Sequence, residues 1–305
     1  MQNERALALN QDLFKEGLAM KLFIRSLLVV VLFAVPTAVQ SSPPASPTPT
    51  PTPQSWHKTS LGGNYIKDIF HDQKVIWTSP FRLDRGDAKW AIPAFVGVGA
   101  LITTDRYTSD WVDRTGSLPG FSHDVSWFGT AYATGGLAAG FFVAGKAFHN
   151  ERARETGLIA GEALIDTGIV TEVLKLAARR ARPSAGNERA EFFTGGSSFP
   201  SGHSSTAWSV ATVIAYEYHK NPFIKYGAFA AATAVSMSRF SGRNHFLSDI
   251  VIGSAIGFGV GRFVYREHHD PDIDQPKPKK TTWLKPMIVP YYNRGTVGGT
   301  VMWRM

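Results

Sequence analysis

The chain has 305 residues, no cysteine, 44% hydrophobic and 18% charged residues, and 32 Lys+Arg against 24 Asp+Glu for a formal charge of +8. This composition excludes a mainly disordered chain, and the absence of cysteine excludes a disulfide scaffold, a thiolate nucleophile and any cysteine-ligated zinc or iron–sulfur centre. The basic excess suits an anionic partner, whether nucleic acid, an anionic membrane face or a phosphate ester, and composition does not choose among them.

At the amino end, residues 22–35 form an apolar run with Lys21 before it and Arg25 near its start, followed by Pro36, Thr37, Ala38 and Val39. That is the build of an export signal, and its uncharged core falls short of the roughly 20 residues a spanning helix needs, so cleavage is expected within residues 38–42. Glu4, Asp12 and Glu16 precede the run, which marks Met20 as a candidate true start. Alternating prolines from Pro43 to Pro53 then make an extended spacer. The expected divisions are a signal region (1–40), a Pro/Thr/Ser linker (41–55), an amino-terminal extension (56–89), a body (90–266) and a carboxyl-terminal linker and tail (267–305).

The body reads as glycine- and alanine-rich helical segments at 91–104, 126–148, 152–181, 204–218, 222–237 and 247–265. An all-α bundle of about six core helices is expected. Residues 125–145 stay uncharged over a spanning length, whereas the other apolar helices are interrupted by Glu162, Asp166, Glu172, Glu217, Arg239 and Arg262. A soluble or surface-bound bundle is therefore favoured over an embedded one. The glycines at 295, 298 and 299 suggest a short terminal β-hairpin.

Three segments carry chemistry. In the first, Lys175, Arg179 and Arg182 fall at i, i+4 and i+7 and so share one helix face. Pro183 disfavours helix at Arg182, whose planar fork is left at the helix end to grip a ligand; the plainer reading is a solvated basic face. In the second, Gly195-Gly196-Ser197-Ser198-Phe199-Pro200-Ser201-Gly202-His203 leads into a helix start, where free N–H groups favour an anion. A capped loop with an incidental histidine is the plainer alternative. In the third, His245 and Asp249 stand four apart beside Arg239, so Asp249 can accept from one ring nitrogen and leave the other as nucleophile or base. A structural His–Asp cap is the alternative there. The conjunction of cations and two imidazoles in three separate segments favours the chemical readings.

The order and spacing of Lys175 with Arg182-Pro183, Pro200-Ser201-Gly202-His203, and Ser238-Arg239 with His245 and Asp249 resemble the three-part signature of the type 2 phosphatidic acid phosphatase superfamily. That superfamily includes class A acid phosphatases and vanadium-dependent haloperoxidases. The resemblance covers residues 91–265 and implies a helical bundle with the site between helices. It implies that His245 attacks phosphorus to give a phosphohistidine, that Asp249 holds its tautomer, and that His203 protonates the leaving alkoxide and then activates water. Lys175, Arg182 and Arg239, with Ser201 and the Gly202 amide, would bind the phosphoryl oxygens. No metal or cofactor is implied, although vanadate could fill the phosphate site. The expected substrate is a phosphorylated lipid or a small phosphate ester, with membrane association left open, no nucleic-acid partner, and a place in the periplasm or cell envelope. A broad acid phosphatase, a vanadium haloperoxidase and a non-catalytic anionic-lipid binder are the alternatives. Glu172 reads as the salt-bridge partner of Lys175, Arg179, Arg180 and Arg243 as flanking charge, and His149, His219, His268 and His269 as surface or capping residues.

Overall fold

The computed structural model describes residues 63–82, 85–116, 119–186, 189–275, 287–293 and 296–302. The signal region and the proline-rich linker lie outside the described residues. Eight α-helices follow in order: α1 (Gly63–Thr78), α2 (Arg85–Thr115), α3 (Pro119–Ser126), α4 (Ala131–Ala147), α5 (Glu151–Ala178), α6 (Gly202–Glu217), α7 (Pro222–Ser241) and α8 (Leu247–His268). Two strands follow, β1 (Met287–Asn293) and β2 (Thr296–Met302), paired antiparallel with Met287 opposite Met302 and Asn293 opposite Thr296. The body is all-α as expected, and the tail forms the expected hairpin. Helices α1 and α3 come in addition to the six read from the sequence.

Besides α2, which runs over Arg85–Thr115 where 91–104 was expected and so takes in Asp105, two expected boundaries move. The segment 126–148 is not one helix, because Thr130 is extended (φ −68°, ψ 152°) and its side chain accepts from the Ala133 amide at 3.2 Å, starting α4 afresh. The uncharged run 125–145 is therefore interrupted at Thr130, leaving a helix of 17 residues after it. Among the described residues, α8 alone is long and apolar enough to cross a membrane, and half of its most apolar stretch is buried inside the bundle. The second shift is in α5, which stops at Ala178 because Arg179 turns left-handed (φ 45°) while its amide caps back to the Lys175 carbonyl at 2.9 Å. Arg179 and Arg182 consequently do not share a helical face with Lys175.

The core lies where α5, α6 and α8 meet, with Ile159, Ala160 and Ala163 buried against Val210, Val213, Val260 and Val264. Each of the larger side chains contributes roughly 1.5–3 kcal/mol by leaving water. Helices α6 and α8 run parallel in direct backbone contact. A Cβ at Gly253 would sit 2.6 Å from the Ser201 carbonyl oxygen, one at Gly261 would sit 2.6 Å from that of Ser209, and one at Gly257 would collide with that of Ser205. This ladder of glycines on one face of α8 sets the start of α8 beside the start of α6. Helices α5 and α7 reach the same end by their carboxyl termini.

Candidate active site

The loop after α5 folds back on the loop before α6. The Arg179 carbonyl accepts from the Gly195 and Gly196 amides at 2.9 and 3.1 Å, and the Arg180 carbonyl accepts from the Ser198 amide at 2.7 Å. Glycine is required at 196, since a Cβ there would collide with the Ala181 backbone. The Phe199–Pro200 bond is cis, and Ser201 caps α6, accepting from the Ser204 amide at 3.5 Å. This places the Gly202 amide at the first turn of α6 and Lys175 beside it: a Cβ on Gly202 would lie 3.0 Å from Lys175 Nζ.

Lys175, Arg182 and Arg239 come near one another from three segments, though not by the shared helix face expected for the first two. Lys175 Nζ pairs with Glu172 at 2.6 Å, as its position one turn earlier suggested. Arg182 reaches the site from an extended position (φ −81°, ψ 156°) ahead of a short turn and not from the helix itself. Arg239, on the last turn of α7, is buried, and its Nε–H has no hydrogen-bond partner. Burial and then the neighbouring Arg182 hold its guanidinium down to about 10. A buried, unspent donor among like charges is the electrostatic condition for receiving an anion. The amino ends of α6 and α8 add their partial positive charge.

Both motif histidines belong to this cluster. His203 is held down to about 3, first by burial and then by Arg239, His245, Lys175 and Arg182. His245 is 3% exposed, and burial lowers it too, against the opposing pull of Asp249. His245 Nδ1 lies 2.7 Å from the Ser198 carbonyl oxygen and 3.7 Å from Asp249 Oδ2. A carbonyl can only accept, so Nδ1 carries the proton and Nε2 presents its lone pair. The sequence reading had Asp249 as the direct acceptor. The tautomer is the one it implied, but the Ser198 carbonyl holds it, with Asp249 as the adjacent charge. Burial raises the Asp249 carboxyl, yet His245, Arg180 and Ser198 outweigh burial and keep it below its ordinary value.

Arg180 is a correction to the sequence reading, which took it as flanking charge. It is fully buried. It is sandwiched between Phe192 and Phe246, 4.4 and 4.1 Å from their ring centroids. Its Nη1 donates to Asp249 Oδ1 at 2.7 Å and its Nη2 to Asp105 Oδ2 at 2.8 Å. Asp105 of α2 also accepts from the Ser248 amide at 2.9 Å and from the Ser248 hydroxyl. Asp249 further accepts from the Ser198 hydroxyl and from the Phe246 amide. Asp105, Ser198 and Ser248 thus fix the dyad without having been assigned a role. The arginine run offered a signal for Arg180 but no means of telling which member turns inward, and no signal marks Asp105. Arg179 is exposed and Arg243 pairs with Asp113. His268 and His269 are a second correction, since both contact buried carboxylates.

Residues 156–271 match the PAP2 superfamily model. That segment contains every motif residue named above and excludes Asp105. The chain is 34% identical over 73 residues to a lipid A 1-phosphatase of Porphyromonas gingivalis, covering 24% of this chain and 16% of that protein. It is 31% identical over 144 residues to a PA-phosphatase related-family protein of Dictyostelium discoideum, covering 41% and 52%. The chain therefore spans about half the length of one curated relative and about a sixth of the other. Among solved structures, a transmembrane PAP2 type phosphatidylglycerolphosphate phosphatase from Bacillus subtilis aligns with a TM-score of 0.48 and 22% identity over 59% of this chain and 96% of that one. LpxE from Aquifex aeolicus aligns with a TM-score of 0.42 and 22% identity over 52% and 92%.

Proposed function

The chain carries a PAP2 superfamily domain over residues 156–271, and we propose that it is an exported phosphatase that hydrolyses a phosphate monoester or pyrophosphate of a lipid through a phosphohistidine. The observation that carries this reading is the pairing of His245, locked with Nδ1–H on the Ser198 carbonyl, with Arg239, whose buried Nε–H is unspent. Lys175, Arg182 and Arg239 grip the phosphoryl oxygens, with the Gly202 amide and the Ser201 hydroxyl completing the cradle. His245 Nε2 attacks phosphorus and the phosphorus–alkoxide bond breaks. The departing oxygen takes a proton from His203. Water then attacks the phosphohistidine, giving its proton to His203, and inorganic phosphate leaves. The cations supply the charge neutralisation that a metal supplies elsewhere, and vanadate is a ligand of the same cradle.

His203 is neutral in the free protein, held down to about 3 by burial and its cationic neighbours. Its proton is taken up together with the phosphate dianion, whose charge offsets those neighbours. The lipid reading, and association with a membrane, are supported by apolar side chains left in solvent near the site, among them Leu176 (77% exposed) and Phe193 (79%), and by Phe223 and Tyr226 on α7.

The test is phosphate release, with chelator present, from a small aryl phosphate and from micellar phosphatidate. Chelator-resistant release that His245→Ala reduces by more than about a thousandfold supports the phosphohistidine route. Retention of more than a thousandth of the activity overturns it. A faster rate on phosphatidate supports the lipid substrate, and a faster rate on the aryl ester makes the protein a general phosphatase.

A further inference from the structure

Far from the phosphate cradle, α1, α5 and the end of α8 enclose a group of acids. His268 closes α8, a helix of 22 residues whose first turn carries Asp249, so the group lies about 30 Å along that helix from the site. Asp68, Glu162 and His268 each place a ligand atom within 4.8 Å of the other two. His268 Nε2 lies 2.9 Å from Asp72 Oδ2 and 3.6 Å from Glu162 Oε1. Glu162 is fully buried, and neither of its carboxylate oxygens has a hydrogen-bond partner. Asp72 Oδ1 and Asp166 Oδ2, on equally buried side chains, also lack one. Gln73 satisfies only Asp166 Oδ1, at 2.9 Å.

A neighbouring group differs in having an arginine against it. Glu155, Glu217 and His269 make the same arrangement of two carboxylates and an imidazole. There, however, Arg152 contacts Glu217 at 3.5 Å and Asp274 at 2.7 Å, and the Asp270 amide donates to Glu155 at 2.7 Å. Glu217 Oε2 also lacks a hydrogen-bond partner, but this group has a cation, Arg152, in contact with it. Around Glu162, four carboxylates (Asp68, Asp72, Glu162 and Asp166) surround one imidazole, and among the described residues no arginine or lysine pairs with any of them. Unpaired buried carboxylate oxygens cost several kcal/mol unless a proton or a cation meets them.

We propose that Asp68, Glu162 and His268 bind a divalent cation that displaces to solvent the Nε2 proton His268 now gives to Asp72, with Asp72 and Asp166 supplying further negative charge, and that the ion ties α1 to α5 and α8. Two carboxylate oxygens and an imidazole suit an ion of the manganese type, which accepts both. The inference stands apart from the proposed phosphatase reaction, because no step of that reaction passes through this group.

The experiment uses the full chain, stripped with chelator, desalted and titrated with Mn2+. Bound ion is read by the loss of the free-Mn2+ electron paramagnetic resonance signal, and stability by thermal melting. The expected result is one saturable equivalent that raises the melting temperature, weakened at least tenfold by Glu162→Gln and by Asp68→Asn and unchanged by Glu217→Gln. In chelator, Glu162→Gln should melt no lower than the wild type, since it replaces a buried carboxyl whose oxygens accept no hydrogen bond, while Mn2+ should move the wild type above the variant. No saturable uptake, uptake indifferent to both variants, or uptake weakened equally by Glu217→Gln would overturn the proposal. Glu162→Gln melting below the wild type in chelator would overturn it also, since the His268–Glu162 contact would then suffice. The readout is binding, so a failure here leaves the His245 assignment intact, and failure of His245→Ala leaves this one.

Discussion

Arg180→Met tests whether the dyad is anchored from behind. Methionine keeps much of the side-chain volume between Phe192 and Phe246 but removes the donors to Asp105 and Asp249, both fully buried. Removing one partner of a buried ion pair costs about 3–5 kcal/mol, because the remaining charge stays out of water. That is a large part of the 5–15 kcal/mol typical of a folded domain. At about 2–4 °C per kcal/mol for a domain of this size, the melting temperature should fall by about 6–20 °C. Adding Asp105→Asn removes one of the orphaned charges, so the double variant should melt higher than the sum of the two single losses implies, by a coupling of at least about 1 kcal/mol. In kinetics with an aryl phosphate, kcat should fall by about a hundredfold, the size of effect that misplacing a reacting group produces, while KM holds because the phosphate cradle is untouched. A melting shift below about 3 °C together with an unaltered kcat would refute the anchoring role.

Phosphate binding should be linked to proton uptake, because His203 is held down to about 3 in the free protein and the anion relieves that repulsion. Calorimetry of inorganic phosphate in buffers of different ionisation heat should show about one proton taken up near neutral pH, lost in His203→Gln; buffer-independent heats would contradict it. The same depression acts on stability. The unfolded imidazole gains its proton near 6.5 and the folded one only near 3, so stability should decline as pH falls through that window, less steeply in His203→Gln. Gly257→Ala should cost about 1–3 kcal/mol by forcing α8 off the Ser205 backbone, and activity should drop as the two helix starts separate. Gly259→Ala, which meets nothing within 4 Å, should be neutral or stabilising by up to about 1 kcal/mol. Equal melting of the two variants would disprove the backbone contact. Arg239→Gln should raise the inhibition constants of phosphate and vanadate at least about tenfold; unchanged inhibition would remove Arg239 from the cradle.

The helical class, the residues of the cluster of cations and imidazoles and the terminal hairpin were legible from local pattern alone. Glycine and proline punctuation, 3.6-residue periodicity and the spacing of Lys175, Arg182, His203, Arg239, His245 and Asp249 are all properties of short segments. Even the break at Thr130 had a local cause, a side-chain cap, though uncharged composition on both sides concealed it. What required the tertiary structure were the contacts between segments distant in the chain. Arg180 turns inward because α5 ends in a left-handed residue one position earlier, and its partner Asp105 comes from 75 residues upstream. His245 finds the Ser198 carbonyl, not Asp249, because the loop before α6 is clamped by Arg179 and Arg180 carbonyls. The acids around Glu162 are separated in sequence by α1, α5 and α8, and only the packing of those helices turns ordinary surface-type residues into buried charge. Sequence determines which groups can do chemistry, because reactivity belongs to side chains; tertiary structure decides which are desolvated together, because burial and distance set what each charge costs and what it can hold.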